Sequence, residues 1–124
     1  MFCFARPRLM LLTSNPLARQ YEPLHDIDVE AAWTLLNNFD NEYVAFFNCG
    51  QDAGRSRMCK HMQLMPLPKD TFAAFLDRDD GKEPNVPFYW FYRRLQPQVT
   101  TISIVIPAYE ELCGTATLAP ALAH

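Results

Sequence analysis

Near the middle of the chain, His61 and Gln63 stand two apart in the run Cys59-Lys60-His61-Met62-Gln63-Leu64-Met65, which stops at Pro66-Leu67-Pro68. A short, largely apolar run closed by prolines reads as a strand. Side chains alternate along a strand, so Cys59, His61, Gln63 and Met65 share one face, and Lys60, Met62 and Leu64 share the other. Neighbours on one face lie ~7 Å apart, the scale of a phosphate held between an imidazole and a carboxamide. Nucleotidyl transfer needs a nucleophile that is unprotonated near neutral pH and can later leave, and imidazole meets both conditions. His61 fits that role. The Gln63 amide is suited to donate a hydrogen bond to a non-bridging oxygen as charge shifts in the transition state.

Upstream lies a polar loop, Gly50-Gln51-Asp52-Ala53-Gly54-Arg55-Ser56-Arg57. Its glycines permit backbone conformations that aim successive N–H groups at an anion, Ser56 adds a hydroxyl, and Arg55, Arg57 and Lys60 add positive charge. Loops between strands carry these residue types for turn geometry as well, so the loop gains meaning only beside His61 and Gln63. Lys60 faces away from His61 on a regular strand and is expected as a surface charge. Cys59 and His61 resemble half of a metal site, but no second pair with ligand spacing follows, so no metal centre is expected.

Eleven basic and fourteen acidic residues leave a formal charge of -3, which excludes a global basic field for nucleic acid. No stretch approaches the ~20 apolar residues that span a bilayer, so no membrane partner is expected. Arg6 and Arg8 before Leu9 to Leu12 mimic a leader, but the apolar stretch is short and runs into Thr13-Ser14-Asn15-Pro16. Cys3, Cys49, Cys59 and Cys113 form no Cys-x-x-Cys pair, which argues against a disulfide scaffold and for a reducing cytoplasmic or nuclear compartment. With 49% hydrophobic and 13% aromatic residues, the chain is composed to bury a core.

The elements that must position His61 follow from periodicity. Leu9 to Thr13 reads as an interior strand ended by a turn. Val29, Ala32, Leu35, Leu36 and Phe39 recur at three and four residues, predicting a helix capped by Asp26, with Asp28 and Glu30 as charges of its first turn. Glu42 to Cys49 is a second extended segment, and Asp70 is placed to cap a short helix through Leu76. Phe88 to Tyr92 have the composition of a buried strand, an explanation preferred to base stacking, and Ile102 to Ile106 is β-branched enough for another. Tyr109 to Cys113 reads as one helical turn, and 114–124 as a loose tail after a domain spanning 1–113.

The stretch FFNCGQDAGRSRMCKHMQLMP, residues 46–66, resembles the signature of the diadenosine tetraphosphate phosphorylase family, or ATP adenylyltransferases, of the histidine-triad superfamily. There an Asn-Cys-Gly turn leads through a Gly-x-Ser loop into His-x-His-x-Gln, and Asn48, Cys49, Gly50, Gly54, Ser56, His61 and Gln63 occupy matching places. The resemblance runs from about Arg6 to Leu95. It implies that His61 attacks an α-phosphorus to form a nucleotidyl-histidine, that phosphate then accepts the adenylyl group, and that Gln63 holds phosphate oxygens. It also assigns Ser56 and the Gly54 backbone to the phosphate chain, and Asn48 to support of that site. Cys59 departs from the family by replacing the first histidine, Met58 replaces a proline, and Arg55 and Arg57 replace smaller or neutral residues.

The expected fold is α+β: an antiparallel sheet of about four or five strands with helices on one face, an incomplete version of the histidine-triad architecture. Family members carry further segments at both ends. The expected function is adenylyl transfer on a dinucleoside polyphosphate, with nucleotide and phosphate as partners. Mg²⁺ would accompany the nucleotide, with no tightly bound cofactor. The competing reading is a non-catalytic nucleotide-binding or interaction remnant of the same family. Oligomeric state is left open.

Overall fold

A computed structural model describes residues 8–40, 42–50, 57–68, 82, 85–96 and 99–122. The chain divides into two units, residues 1–67 and 68–124. It is a small α+β protein in which a three-stranded antiparallel sheet and two helices account for the regular structure of the described residues. In the first unit the elements are β1 (Leu9–Leu12), α1 (Asp26–Asn38), β2 (Tyr43–Phe46) and β3 (His61–Pro66). The sheet order is β1-β3-β2, so the strand that carries His61 and Gln63 is the central one. Leu12 stands opposite His61 and Met10 opposite Gln63 on one side, and Phe46 stands opposite Gln63 on the other.

Central placement buries β3. Leu64 has no exposed surface, and Met62 and Gln63 are each 7% exposed. Among the described residues β1 is an edge strand instead of the expected interior one, and Leu9, Met10 and Leu12 are exposed. Four consecutive apolar residues specify a strand equally well at either place, since an edge lacks a neighbour on one side only. The turn after β1 follows its sequence closely. Thr13 Oγ1 accepts the Asn15 N–H at 3.2 Å, and Asn15 Oδ1 accepts the Leu17 N–H at 3.0 Å, so two polar side chains replace ladder bonds and reverse the chain.

Helix α1 begins one residue earlier than the expected cap implied. His25 is the N-cap, Asp26 is the first helical residue, and Asp28 Oδ2 accepts the His25 N–H at 2.9 Å. A carboxylate three residues into a helix reaches back to the cap N–H, which decides the start in favour of His25. Val29 and Ala32 form the buried part of the apolar stripe. Asp28 has a second partner. Lys60 is 2% exposed, and its ammonium donates to Asp28 Oδ2 and to the Pro23 carbonyl, each at 2.7 Å. The expectation of a solvated Lys60 is therefore corrected: α1 covers the sheet face opposite His61, and its first turn brings the carboxylate that a buried ammonium requires.

The second unit holds α2 (Ile102–Leu122). Residues 102–106, expected as a strand, are its first turns, with the Ile104 and Val105 N–H groups both donating to the Thr101 carbonyl. β-Branching lowers helix propensity only slightly, and no partner strand stands beside this segment among the described residues. The helix takes in Tyr109 to Cys113 and continues through 114–122, where a loose tail was expected. Residues 88–92 form no strand; Phe88, Tyr89, Phe91 and Tyr92 are exposed, and the Trp90 and Tyr92 rings stack at 4.8 Å. The short helix expected after Asp70 lies outside the described residues. Among them, no helix is long and apolar enough to cross a membrane.

The ion pair yields a stability test. Burial raises the Asp28 pKa, but the hydrogen bonds from Lys60 and the His25 N–H and the charges of both residues outweigh it, so the net shift is below the ordinary 3.8. The stabilisation is therefore present above about pH 4 and is lost as pH falls through the depressed folded value. Asp28→Ala leaves the Lys60 ammonium buried without a counter-charge and should cost about 3 to 5 kcal/mol in urea unfolding, while Lys60→Met, which removes the charge itself, should cost much less. Equal losses for the two variants would show that the pair does not govern this contact.

Candidate functional site

The site is built around the start of β3. Residues 18–20, leaving the turn after β1, pair with the segment just before the strand: the Gln20 N–H donates to the Met58 carbonyl at 2.9 Å and the Lys60 N–H to the Ala18 carbonyl at 3.3 Å, flanking an Arg19–Cys59 bridge. This fixes the chain on entry to His61. Strand alternation then sets His61 and Gln63 on the face away from α1, since Lys60, between Cys59 and His61, reaches the helix. His61 is 5% exposed.

His61 Nδ1 lies 2.8 Å from the Cys59 carbonyl oxygen. A carbonyl only accepts, so Nδ1 carries the proton of the neutral ring, and Nε2 keeps the lone pair. That is the tautomer a nucleophilic imidazole needs. The bond is made by the main chain of residue 59, so the exchange of histidine for cysteine at this position leaves it in place.

Gln63 shares the face of His61 and sits between Met10 and Phe46 on the neighbouring strands. Its Oε1 is buried without a hydrogen-bond partner, as is Nε of Arg8, whose guanidinium lies 6.0 Å from the centre of the Phe46 ring. An unpaired buried polar atom costs about 1 to 3 kcal/mol, which sets these two groups apart from the satisfied polar atoms around them.

Asn48 is brought beside His61 through its backbone. Its carbonyl accepts from Gln20 Nε2 at 3.0 Å, and the same nitrogen donates to the His61 carbonyl at 3.0 Å. Gly50 follows with φ of 82°, the left-handed conformation that glycine adopts without steric penalty, and its N–H donates to the Gln20 carbonyl at 3.3 Å. The start of the loop is thereby anchored. Gly54 and Ser56 lie outside the described residues, and Arg57 is exposed. Gln20, absent from the residues singled out by sequence, is fully buried and bonds to the main chain of both His61 and Asn48. Its only signal was a glutamine in a turn region, which periodicity and motif spacing do not mark.

A cavity of about 220 Å³ opens between β1, the start of β3 and α1. Leu11, Ile27, Ala31 and Met62 supply apolar wall, Thr13 and Ser14 polar groups, and both His61 and the Lys60–Asp28 pair border it. Gln63 does not.

The family profile described as Ap4A phosphorylase N-terminal domain matches residues 5–76, which contain the sheet, α1 and the His61 segment. The chain belongs to this family. Among curated relatives, it is 31% identical over 110 residues to Protein APA1 of Saccharomyces cerevisiae, covering 84% of this chain and 34% of that protein. It is 26% identical over 114 residues to the same yeast's diadenosine 5',5'''-P1,P4-tetraphosphate phosphorylase 2, covering 84% of this chain and 35% of that protein. The chain thus spans about a third of the length of these curated relatives. The crystal structure of yeast Ap4A phosphorylase Apa2 superposes with a TM-score of 0.64 at 21% identity, over 86% of this chain and 40% of that one. Its complex with Ap4A gives 0.56 at 20% identity, over 94% and 45%. The likeness to Apa2 is one of fold.

For this member of the Ap4A phosphorylase N-terminal domain family, the main-chain origin of the Nδ1 bond makes a prediction. Cys59→Ala and Cys59→His should both leave His61 in the Nδ1-protonated form, read from its ring nitrogen shifts by ¹⁵N NMR. A switch to the Nε2-protonated form in either variant would mean that the side chain at 59 sets the tautomer.

Proposed function

We propose that this chain carries the nucleotidyl-transfer strand of an Ap4A phosphorylase, with His61 as nucleophile toward a dinucleoside polyphosphate. The observation that carries the reading is the His61 Nδ1 bond to the Cys59 carbonyl, which leaves Nε2 with its lone pair on the face that His61 shares with Gln63. In this mechanism Nε2 attacks the α-phosphorus, the bond to the bridging oxygen breaks, and ATP leaves with the bond's electron pair. Inorganic phosphate then attacks the same phosphorus, the P–N bond breaks, ADP forms, and the imidazole regains its lone pair while the proton of phosphate passes to solvent.

The remaining roles follow the chemistry of each group. The Gln63 carboxamide contacts phosphate oxygens, consistent with its unmatched buried oxygen, since rotation of the amide exchanges its two ends. Asn48 supports the loop entry, and the Gly54 backbone with the Ser56 hydroxyl takes the phosphate chain. Mg²⁺ would accompany the polyphosphate and offset its charge. The chain would take its place within the histidine-triad architecture, with residues 1–113 as the nucleotidyltransferase portion.

Incubation with diadenosine tetraphosphate and phosphate should release ADP and ATP in equal amounts. His61→Ala should lower the rate by a factor on the order of 10³ or more, as expected for loss of a nucleophile. Unchanged turnover in that variant would remove His61 from the mechanism, and ATP binding in calorimetry without any turnover would favour a binding remnant.

A further inference from the structure

The β2–β3 ladder should extend one hydrogen-bonded pair, two residues, further than it does. Phe46 stands opposite Gln63, and beyond the other end the Leu67 N–H donates to the Glu42 carbonyl at 3.0 Å, so the odd-numbered residues of β3 turn their main-chain groups toward β2. The Thr13 N–H takes the Lys60 carbonyl on the β1 side, which agrees with that phase. Continuing the register sets Asn48 opposite His61. The direct bond is not made. The Gln20 carboxamide lies between them: Oε1 accepts the His61 N–H at 2.7 Å, and Nε2 donates to the His61 and Asn48 carbonyls, both at 3.0 Å.

We propose that Gln20 is a positioning residue for His61, a role that rests on reading His61 as the nucleophile. A side-chain amide has the same donor and acceptor pair as a peptide group, so it substitutes for a strand at one rung of the ladder. It satisfies His61 on the side where Asn48 would otherwise close in. Two consequences follow. The His61 main chain, and with it the Cys59 carbonyl that orients the ring, is held in β register without β2 lying directly against it. Asn48 and Gly50 are displaced from β3 by the width of one carboxamide, and the Gly50 N–H is tied to the carbonyl of the same residue. The distance between the nucleophile and the entry to the loop is therefore set by a single fully buried side chain.

An ordinary core glutamine would stabilise the sheet without regard to His61, and the two roles separate in experiment. Gln20→Met fills a similar volume but supplies neither donor nor acceptor. Gln20→Glu keeps the shape and the acceptor, yet turns a carboxylate oxygen toward two carbonyls until it is protonated, when one donor returns. Hydrogen exchange and adenylyl transfer are measured on the full chain. In Gln20→Met the His61 amide should exchange about tenfold faster, the scale of one lost hydrogen bond, while the Met62 and Leu64 amides keep their rates. The rate of adenylyl transfer should fall with nucleotide binding unchanged, and in Gln20→Glu it should recover as pH is lowered.

An unchanged His61 amide in Gln20→Met overturns the proposal. So does equal acceleration at every sheet amide in both variants with no pH dependence in Gln20→Glu, the signature of a core residue. Absence of transfer in the wild-type chain would remove the nucleophile reading, and the exchange arm would still decide whether Gln20 holds His61.

Discussion

Every main-chain polar group of a central strand must find a partner, because no water reaches either of its edges. β3 meets this requirement by pairing with β1 on one side and β2 on the other, except at His61, where a side chain from the turn after β1 supplies the missing rung. Much of the candidate site descends from that substitution. It keeps β3 extended up to His61, brings the Asn48 carbonyl within reach without letting the strands close, and fastens Gly50 at the point where the chain enters its polar loop.

The opposite face of the strand is governed by charge. Lys60 is one residue from His61 and points the other way, into the first turn of α1, where Asp28 serves both as partner to the ammonium and as acceptor for the helix cap. Loss of the Asp28 carboxylate would remove both contacts at once and leave the buried ammonium without a counter-charge. The pair ties the helix start to the strand start, and the cavity that borders His61 lies between these two elements and β1. Alternation along β3 thus divides labour between adjacent residues, with the phosphorus chemistry proposed for one face and the anchoring of α1 observed on the other.

At residue 59 a thiol stands where the family motif has an imidazole, and a thiol cannot perform the hydrogen bonding of that ring. The geometry reduces the loss. The partner of Nδ1 is a carbonyl, which every amino acid possesses, so the ring keeps its tautomer whatever side chain stands at 59. Membership of the Ap4A phosphorylase N-terminal domain family rests on the larger stretch around this motif rather than on that one position.

Local pattern was enough to place α1, the existence of β1, β2 and β3, and the shared face of His61 and Gln63, because strand alternation and helical periodicity depend on neighbours a few residues away. The resemblance to the family is carried by Asn48, Gly50, His61 and Gln63, which lie close together along the chain. What depended on partners distant in sequence was not legible. Nothing in residues 9–12 says whether the strand is central or an edge, nothing near Lys60 reveals an aspartate thirty-two positions upstream, and the β-branched residues after Thr101 satisfy their backbone within a helix once no strand stands beside them. Gln20 is the extreme case, for a glutamine forty-one positions from His61 acquires its role only when the turn after β1 carries it into the rung that Asn48 would have filled.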